Sequence, residues 1–207
     1  MPHTFYRYNN ETIISTFQSA AVKYVPKEIK YLFVCESPPA FPGEAPNRFF
    51  YFPHSIQAEP LFSTIVRAIY NVNYNQHTID KKTKLLNCLK RDGFYLIDAV
   101  DYPINKDDEL NIVPENMRND IIDSQLIHFR SKINDLMNLG KFTQSTKTIL
   151  IKYNVYDIFH DFEWLNVINT ERIPFPYCAN CPEVAEKIID LIDQQYTCKT
   201  QTAFRVT

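Results

Sequence analysis

Apolar residues recur at helical spacing between positions 11 and 22, where Ile13, Ile14, Phe17, Ala20 and Ala21 follow the polar pair Asn9 and Asn10. Pro26 marks the end of that helix. Residues 30 to 35 form a short run of branched and aromatic side chains, stopped by Pro38 and Pro39, which cannot continue a central strand. A second helix carries Leu61, Phe62, Ile65, Val66 and Ile69 on one face, and a third spans residues 82 to 91, with Gly93 placed to terminate it. Residues 94 to 100 read as the second strand. A long helix bearing Leu126, Phe129, Ile133, Leu136 and Met137 closes at Gly140, and two further strand-like runs follow at 148 to 151 and 165 to 168. The last helix starts at Pro182, with Cys181 or Asn180 as its cap, and buries Ala185, Ile188, Ile189 and Ile192.

Strands that alternate with helices predict an α/β fold: a three-layer α/β/α sandwich around a central, mostly parallel sheet of four strands. A chain of 207 residues, 45% hydrophobic and 22% charged, buries one core, so a single domain over 1–207 is expected. No apolar run reaches the length of a membrane span, and the first residues lack a basic start with an apolar stretch, so a soluble, cytoplasmic protein is expected. Cys35, Cys88, Cys178, Cys181 and Cys198 are odd in number and lack framework spacing, which suits free thiols in a reducing compartment. The single pair Cys178 and Cys181 falls short of a four-ligand metal site, and the histidines show no ligand spacing, so no metal or other cofactor is expected. A net charge of -2 leaves phosphate contacts to local patches. The densest is Lys81, Lys82, Lys84, Lys90 and Arg91, read as the solvated face of the third helix.

Parallel sheets place their sites at the carboxyl ends of the strands. The first strand ends in Cys35-Glu36-Ser37-Pro38-Pro39 and the second in Asp98-Ala99-Val100-Asp101. Glu36 and one of these aspartates can therefore converge, or each can cap a turn or helix. Between the two strands lies Arg48-Phe49-Phe50-Tyr51-Phe52-Pro53-His54, four consecutive aromatics in an irregular segment. Alternate rings can pack in the core, and one can face a pocket where a planar ligand stacks.

In this order the motifs resemble the uracil-DNA glycosylase superfamily over residues 30 to 195. Val34-Cys35-Glu36-Ser37-Pro38-Pro39 stands for the family's V-G-E-A-P-G, Leu96-Ile97-Asp98-Ala99-Val100 for its L-L-N-x-V strand, and Ile173-Pro174-Phe175-Pro176 for H-P-S-P. The resemblance implies a uracil-DNA glycosylase-like fold with Glu36 as the catalytic acid. It implies a base-binding set of Ser37, Phe49 or Phe50 as the stacking ring, Asp98 as the base-reading residue, Ile173, and Tyr177 as the wedge. The expected partner is DNA, damaged or single-stranded. Two positions depart from the pattern: Asp98 stands for the family's amide, and Ile173 for the histidine that stabilises the leaving base.

The resemblance thus implies hydrolysis of the N-glycosidic bond of a damaged or deaminated base, with altered specificity. Glu36 would face the oxocarbenium-like sugar or orient water. His54, Arg48 or a backbone amide would stand in for the missing donor. An ionised Asp98 only accepts hydrogen bonds and suits a base with an exocyclic amino group, whereas a protonated one donates. The alternative is a member that binds nucleic acid or a nucleotide without cleaving it. A third reading has Glu36, Asp98 and Asp101 hold magnesium.

Overall fold

The computed structural model describes residues 3–53, 59–74, 79–177 and 179–192, the side chains of 79 and 80 excepted; His54, His77, Cys178 and Cys198 lie outside the described residues. Helix α1 (Glu11–Val22) starts where the side-chain oxygen of Asn10 accepts the Ile13 backbone N–H at 3.0 Å, which satisfies a donor the first helical turn would otherwise leave unpaired. Strand β1 (Tyr31–Cys35) is buried at every residue, as a strand covered on both faces must be. Strands β2 (Phe94–Asp98) and β3 (Lys147–Leu150) pair with it, both parallel, in the order β2-β1-β3.

Helices make every crossover. α2 (Pro60–Tyr70) and α3 (Ile79–Asp92) join β1 to β2, and α4 (Glu115–Ser124) and α5 (Leu126–Asn138) join β2 to β3. After β3 come α6 (Tyr153–Phe159), a 3-10 turn (Glu163–Leu165) and α7 (Cys181–Leu191), which packs on α2. Gly93 turns α3 into β2 at φ 89°, and a Cβ there would meet Lys30 Cγ at 2.8 Å, so this turn requires glycine. Asn180 precedes α7, but its side-chain oxygen accepts the Tyr177 N–H instead of capping the helix. Among the described residues, no helix is long and apolar enough to cross a membrane.

Among the described residues the sheet has three strands, one fewer than expected, because the run at 165 to 168 pairs without extending. Thr148 and Val167 make one parallel bridge, and Ile151 and Ile173 make another. Between them the Asn169 side chain takes over the ladder: its oxygen accepts the Leu150 N–H at 2.9 Å and its amide donates to the Leu150 carbonyl at 3.4 Å. Asn166 adopts a left-handed conformation (φ 49°) just before. A side chain has replaced the strand backbone, so the ladder breaks. Helices α4 and α6 lack a clear signal in the sequence: α4 buries only Ile122, and α6 spans 7 residues directly behind β3.

Lys82 corrects the reading of the basic patch. Its side chain is fully buried and its Nζ pairs with Glu59 and donates to the Phe49 carbonyl at 3.2 Å, so of the five cations in the patch Lys84, Lys90 and Arg91 are exposed and Lys81 is half-buried. Burial lowers the Lys82 pKa against the pull of Glu59, and raises that of Glu59 against the pull of Lys82. Lys82 thereby ties Phe49, the first residue of the aromatic run, to α3.

That segment also closes the sheet. β2 is an edge strand, and its outward-facing Leu96 backbone is met by one hydroxyl: Tyr51 Oη donates to the Leu96 carbonyl at 2.9 Å and accepts its N–H at 2.7 Å. Tyr51 stacks on Tyr24 at 5.8 Å, and burial raises its pKa well above the usual range. Tyr51→Phe leaves both Leu96 groups without that partner and should lower unfolding free energy by about 1–3 kcal/mol in denaturant titrations. A loss below a few tenths of a kcal/mol would mean that water replaces the hydroxyl.

Candidate functional site

Glu36 follows the last residue of β1 and is only 5% exposed. A carboxylate so placed must be compensated, and three side chains do so. Arg118 of α4 donates from Nε to Oε1 at 2.9 Å, Asn154 of α6 donates to the same oxygen at 2.7 Å, and Lys152, between β3 and α6, donates to Oε2. Arg118 is held in turn by the Val113 carbonyl at 2.6 Å and lies 3.7 Å from Glu115. The Asn154 amide also donates to Asn119 at 3.0 Å, while its own oxygen is buried with no partner among the described residues.

Lys152 occupies an unusual backbone conformation, φ 92° and ψ 141°, which is ordinarily glycine's. Its N–H donates to the Ile173 carbonyl at 2.8 Å and its carbonyl accepts the Tyr156 N–H at 3.0 Å, opening α6. These bonds hold a strained residue whose ammonium reaches Glu36. Burial lowers the Lys152 pKa, opposed chiefly by the Glu36 charge.

Asp98, the last residue of β2, pairs in register with Cys35, one residue before Glu36. Its state is the opposite one. Among the described residues the half-buried carboxyl has no hydrogen-bond partner, and desolvation raises its pKa to about 7, against the pull of Lys132 and with help from Asp101 and Glu36. Lys132 of α5 spends its bonds next door, on the Asp98 carbonyl at 2.7 Å and on Asp101 at 2.6 Å. His128 adds a contact to Asp101 at 2.8 Å, and although burial opposes it, the charge of Lys132 and these bonds hold the Asp101 pKa below the usual carboxylate range. The strand ends thus carry one carboxylate clamped by Arg118, Lys152 and Asn154, one paired with Lys132 and His128, and one, Asp98, that accepts no hydrogen bond among the described residues.

The remaining expected residues fall in different surroundings. Ser37 is half-buried beside Glu36. Phe49 and Phe50 are both buried: Phe49 packs against Phe17, Tyr51 and Phe52, and Phe50 against Tyr51 and Phe62. Phe52 and Tyr51 are the rings of this segment that line a cleft of about 430 Å³, shared with Ser15 and Ser19 of α1 and with Lys23 just beyond it. Ile173 is buried with its carbonyl on Lys152, and Tyr177 is 63% exposed, edge-on to Phe175 at 5.7 Å. Half-buried Arg48 lies near Glu59, where its charge joins that of Lys82 in opposing the rise that burial imposes on the Glu59 pKa. Among the described residues, no group of three His, Cys, Asp or Glu side chains is arranged to hold a metal ion, and Glu36 and Asp101 are already paired with side-chain cations.

Arg118, Asn119, Lys152 and Asn154 are absent from the sequence reading. Lys152 and Asn154 had a usable signal, since they directly follow the third strand-like run, where the rule of carboxyl ends applies as it does to Glu36. Arg118 and Asn119 had none, because α4 reaches the site from a weakly patterned helix.

Comparisons with protein-family models, with curated proteins and with solved structures find no match, so the function rests on this geometry and on the motifs. Asp98 makes a direct test of the electrostatics. Its folded pKa lies above the unfolded value, so its contribution to stability is present at pH below 4 and is lost as pH rises through about 7. Asp98→Asn should therefore match the parent in urea unfolding near pH 4 and exceed it by about 1–3 kcal/mol near pH 8, within a ceiling set by about 1.4 kcal/mol per pH unit. Equal stability of the two proteins at both pH values would mean that Asp98 is well solvated.

Proposed function

We propose that this chain is a DNA glycosylase-like protein that hydrolyses the N-glycosidic bond of a damaged or deaminated base. The observation that carries the reading is the pair of carboxyl groups at adjacent strand ends in opposite states: Glu36 fixed and ionically compensated, Asp98 without a hydrogen-bond partner among the described residues and with its pKa raised to about 7. Carboxyl groups whose surroundings push them apart take different roles in glycosyl transfer. Glu36 supplies the carboxylate that orients water and faces the cationic sugar. Asp98 reads the base, and its protonated form donates where an ionised one can only accept.

The finer architecture belongs to this reading: a uracil-DNA glycosylase-like three-layer sandwich in which residues 165 to 173 take the fourth strand's place beside β3. The reading also includes a cytoplasmic protein and a DNA partner whose extruded base is held by Ser37 and Asp98, with Tyr177 as the exposed wedge. The alternative, nucleic-acid or nucleotide binding without cleavage, is favoured by two observations: Ile173 presents no donor, and Arg118 and Lys152 already engage Glu36.

Oligonucleotides carrying uracil, hypoxanthine, xanthine and oxidised or alkylated bases, scored for abasic sites, separate the two. The parent should release at least one base, and Glu36→Gln should lower that rate by roughly 100-fold or more while DNA binding persists. Asp98→Asn should shift preference toward uracil. DNA binding with no base released by any protein establishes the alternative.

A further inference from the structure

We propose that Lys152 is a further catalytic residue, the acid that protonates the departing base, and that Glu36 returns the proton to it. The inference rests on the glycosylase reading and adds a group that the motifs do not supply. N-glycoside cleavage leaves negative charge on the base, and a donor must meet it. The Ile173 side chain has none to offer. Lys152 is joined to Ile173 backbone to backbone at 2.8 Å, so its cation enters the site from that position's immediate neighbour. It touches Glu36 directly, and an ammonium has three protons, so the bond to Glu36 leaves two for a ligand. The glycine-like backbone at Lys152 is strain of the kind that persists at working residues, where the surrounding bonds enforce it. Burial lowers the Lys152 pKa, which makes its proton easier to give.

The steps balance. The bond from C1′ to the base nitrogen breaks, and its electron pair leaves with the base. Lys152 gives the base a proton. Water adds to C1′ and gives its own proton to Glu36, and that proton crosses the hydrogen bond to Lys152. One water is consumed, the base departs carrying hydrogen and the sugar carries hydroxyl, and both side chains are restored. Arg118 and Asn154 hold Glu36 through the cycle, and among the described residues the charges that act on Lys152 are Glu36, just past β1, and Arg118 and Glu115 from α4.

The experiment compares the parent with Lys152→Met and Lys152→Arg on oligonucleotides carrying uracil or 5-fluorouracil, and hypoxanthine or xanthine. Within each pair the second base carries negative charge more readily. Lys152→Met should lose roughly 100-fold or more on the poorer leaving group and clearly less on the better one. Lys152→Arg keeps the charge but holds its protons too tightly to release one, so it should lie between parent and Lys152→Met and show the same dependence on leaving group; it carries the comparison if Lys152→Met does not fold. A parent that releases a base while the Lys152 variants stay within twofold, or lose equally on both members of a pair, overturns the role of Lys152 and leaves the glycosylase reading standing. A parent that releases none of these or other damaged bases overturns both.

Discussion

A carboxylate at the carboxyl end of the central strand is the constraint around which the site is built. Glu36 is 5% exposed, and an ion taken so far out of water is tolerated only with close compensation. The compensation comes from three places in the chain: Arg118 on α4, Lys152 at the end of β3 and Asn154 on α6. The helix that follows β2 and the helix that follows β3 are thereby tied to the end of β1. Removal of one partner from such a buried pair ordinarily costs about 3–5 kcal/mol, because the remaining charge is left uncompensated. The strained backbone of Lys152 sits inside this network, where the Ile173 and Tyr156 bonds hold it.

The same economy of cations sets the neighbouring carboxyls apart. Lys132 is within reach of both Asp98 and Asp101, yet its ammonium bonds to Asp101 and to the Asp98 carbonyl, leaving the Asp98 carboxyl without a donor among the described residues. One strand end therefore holds an ionised group in fixed orientation, and the next holds a group that changes protonation near pH 7. This asymmetry is the physical basis of the proposed division between sugar chemistry and base reading.

Much of the fold was legible in the sequence. The helical spacing of Ile13, Phe17 and Ala20 and of Leu61, Ile65 and Ile69 predicted α1 and α2, and Pro38 and Gly93 marked the limits of β1 and β2. The fourth strand was overread because apolar content at 165 to 168 cannot reveal that the Asn169 side chain will take the place of the ladder. Lys82 was misread for a similar reason: its charge predicts solvent, but its burial is made tolerable by Glu59, 23 residues away in sequence. At the candidate site, the placement of Glu36 and Asp98 at adjacent strand ends was legible because strand ends are readable from proline and pattern. Arg118 was not, since a cation on a polar helix reads the same whether it faces water or a buried carboxylate. The aromatic segment was half legible: its rings line a core and a cleft together, and only the structure shows that Tyr51 also completes the edge of β2.

The central claim is that these strand ends release a base from DNA. Incubating genomic DNA with the parent protein or with Glu36→Gln, and identifying free bases in the filtrate by mass spectrometry, tests it without choosing a lesion in advance. The account predicts that one non-standard base accumulates with the parent and stays at the buffer level with Glu36→Gln. A filtrate from the parent that matches buffer in every base would contradict it.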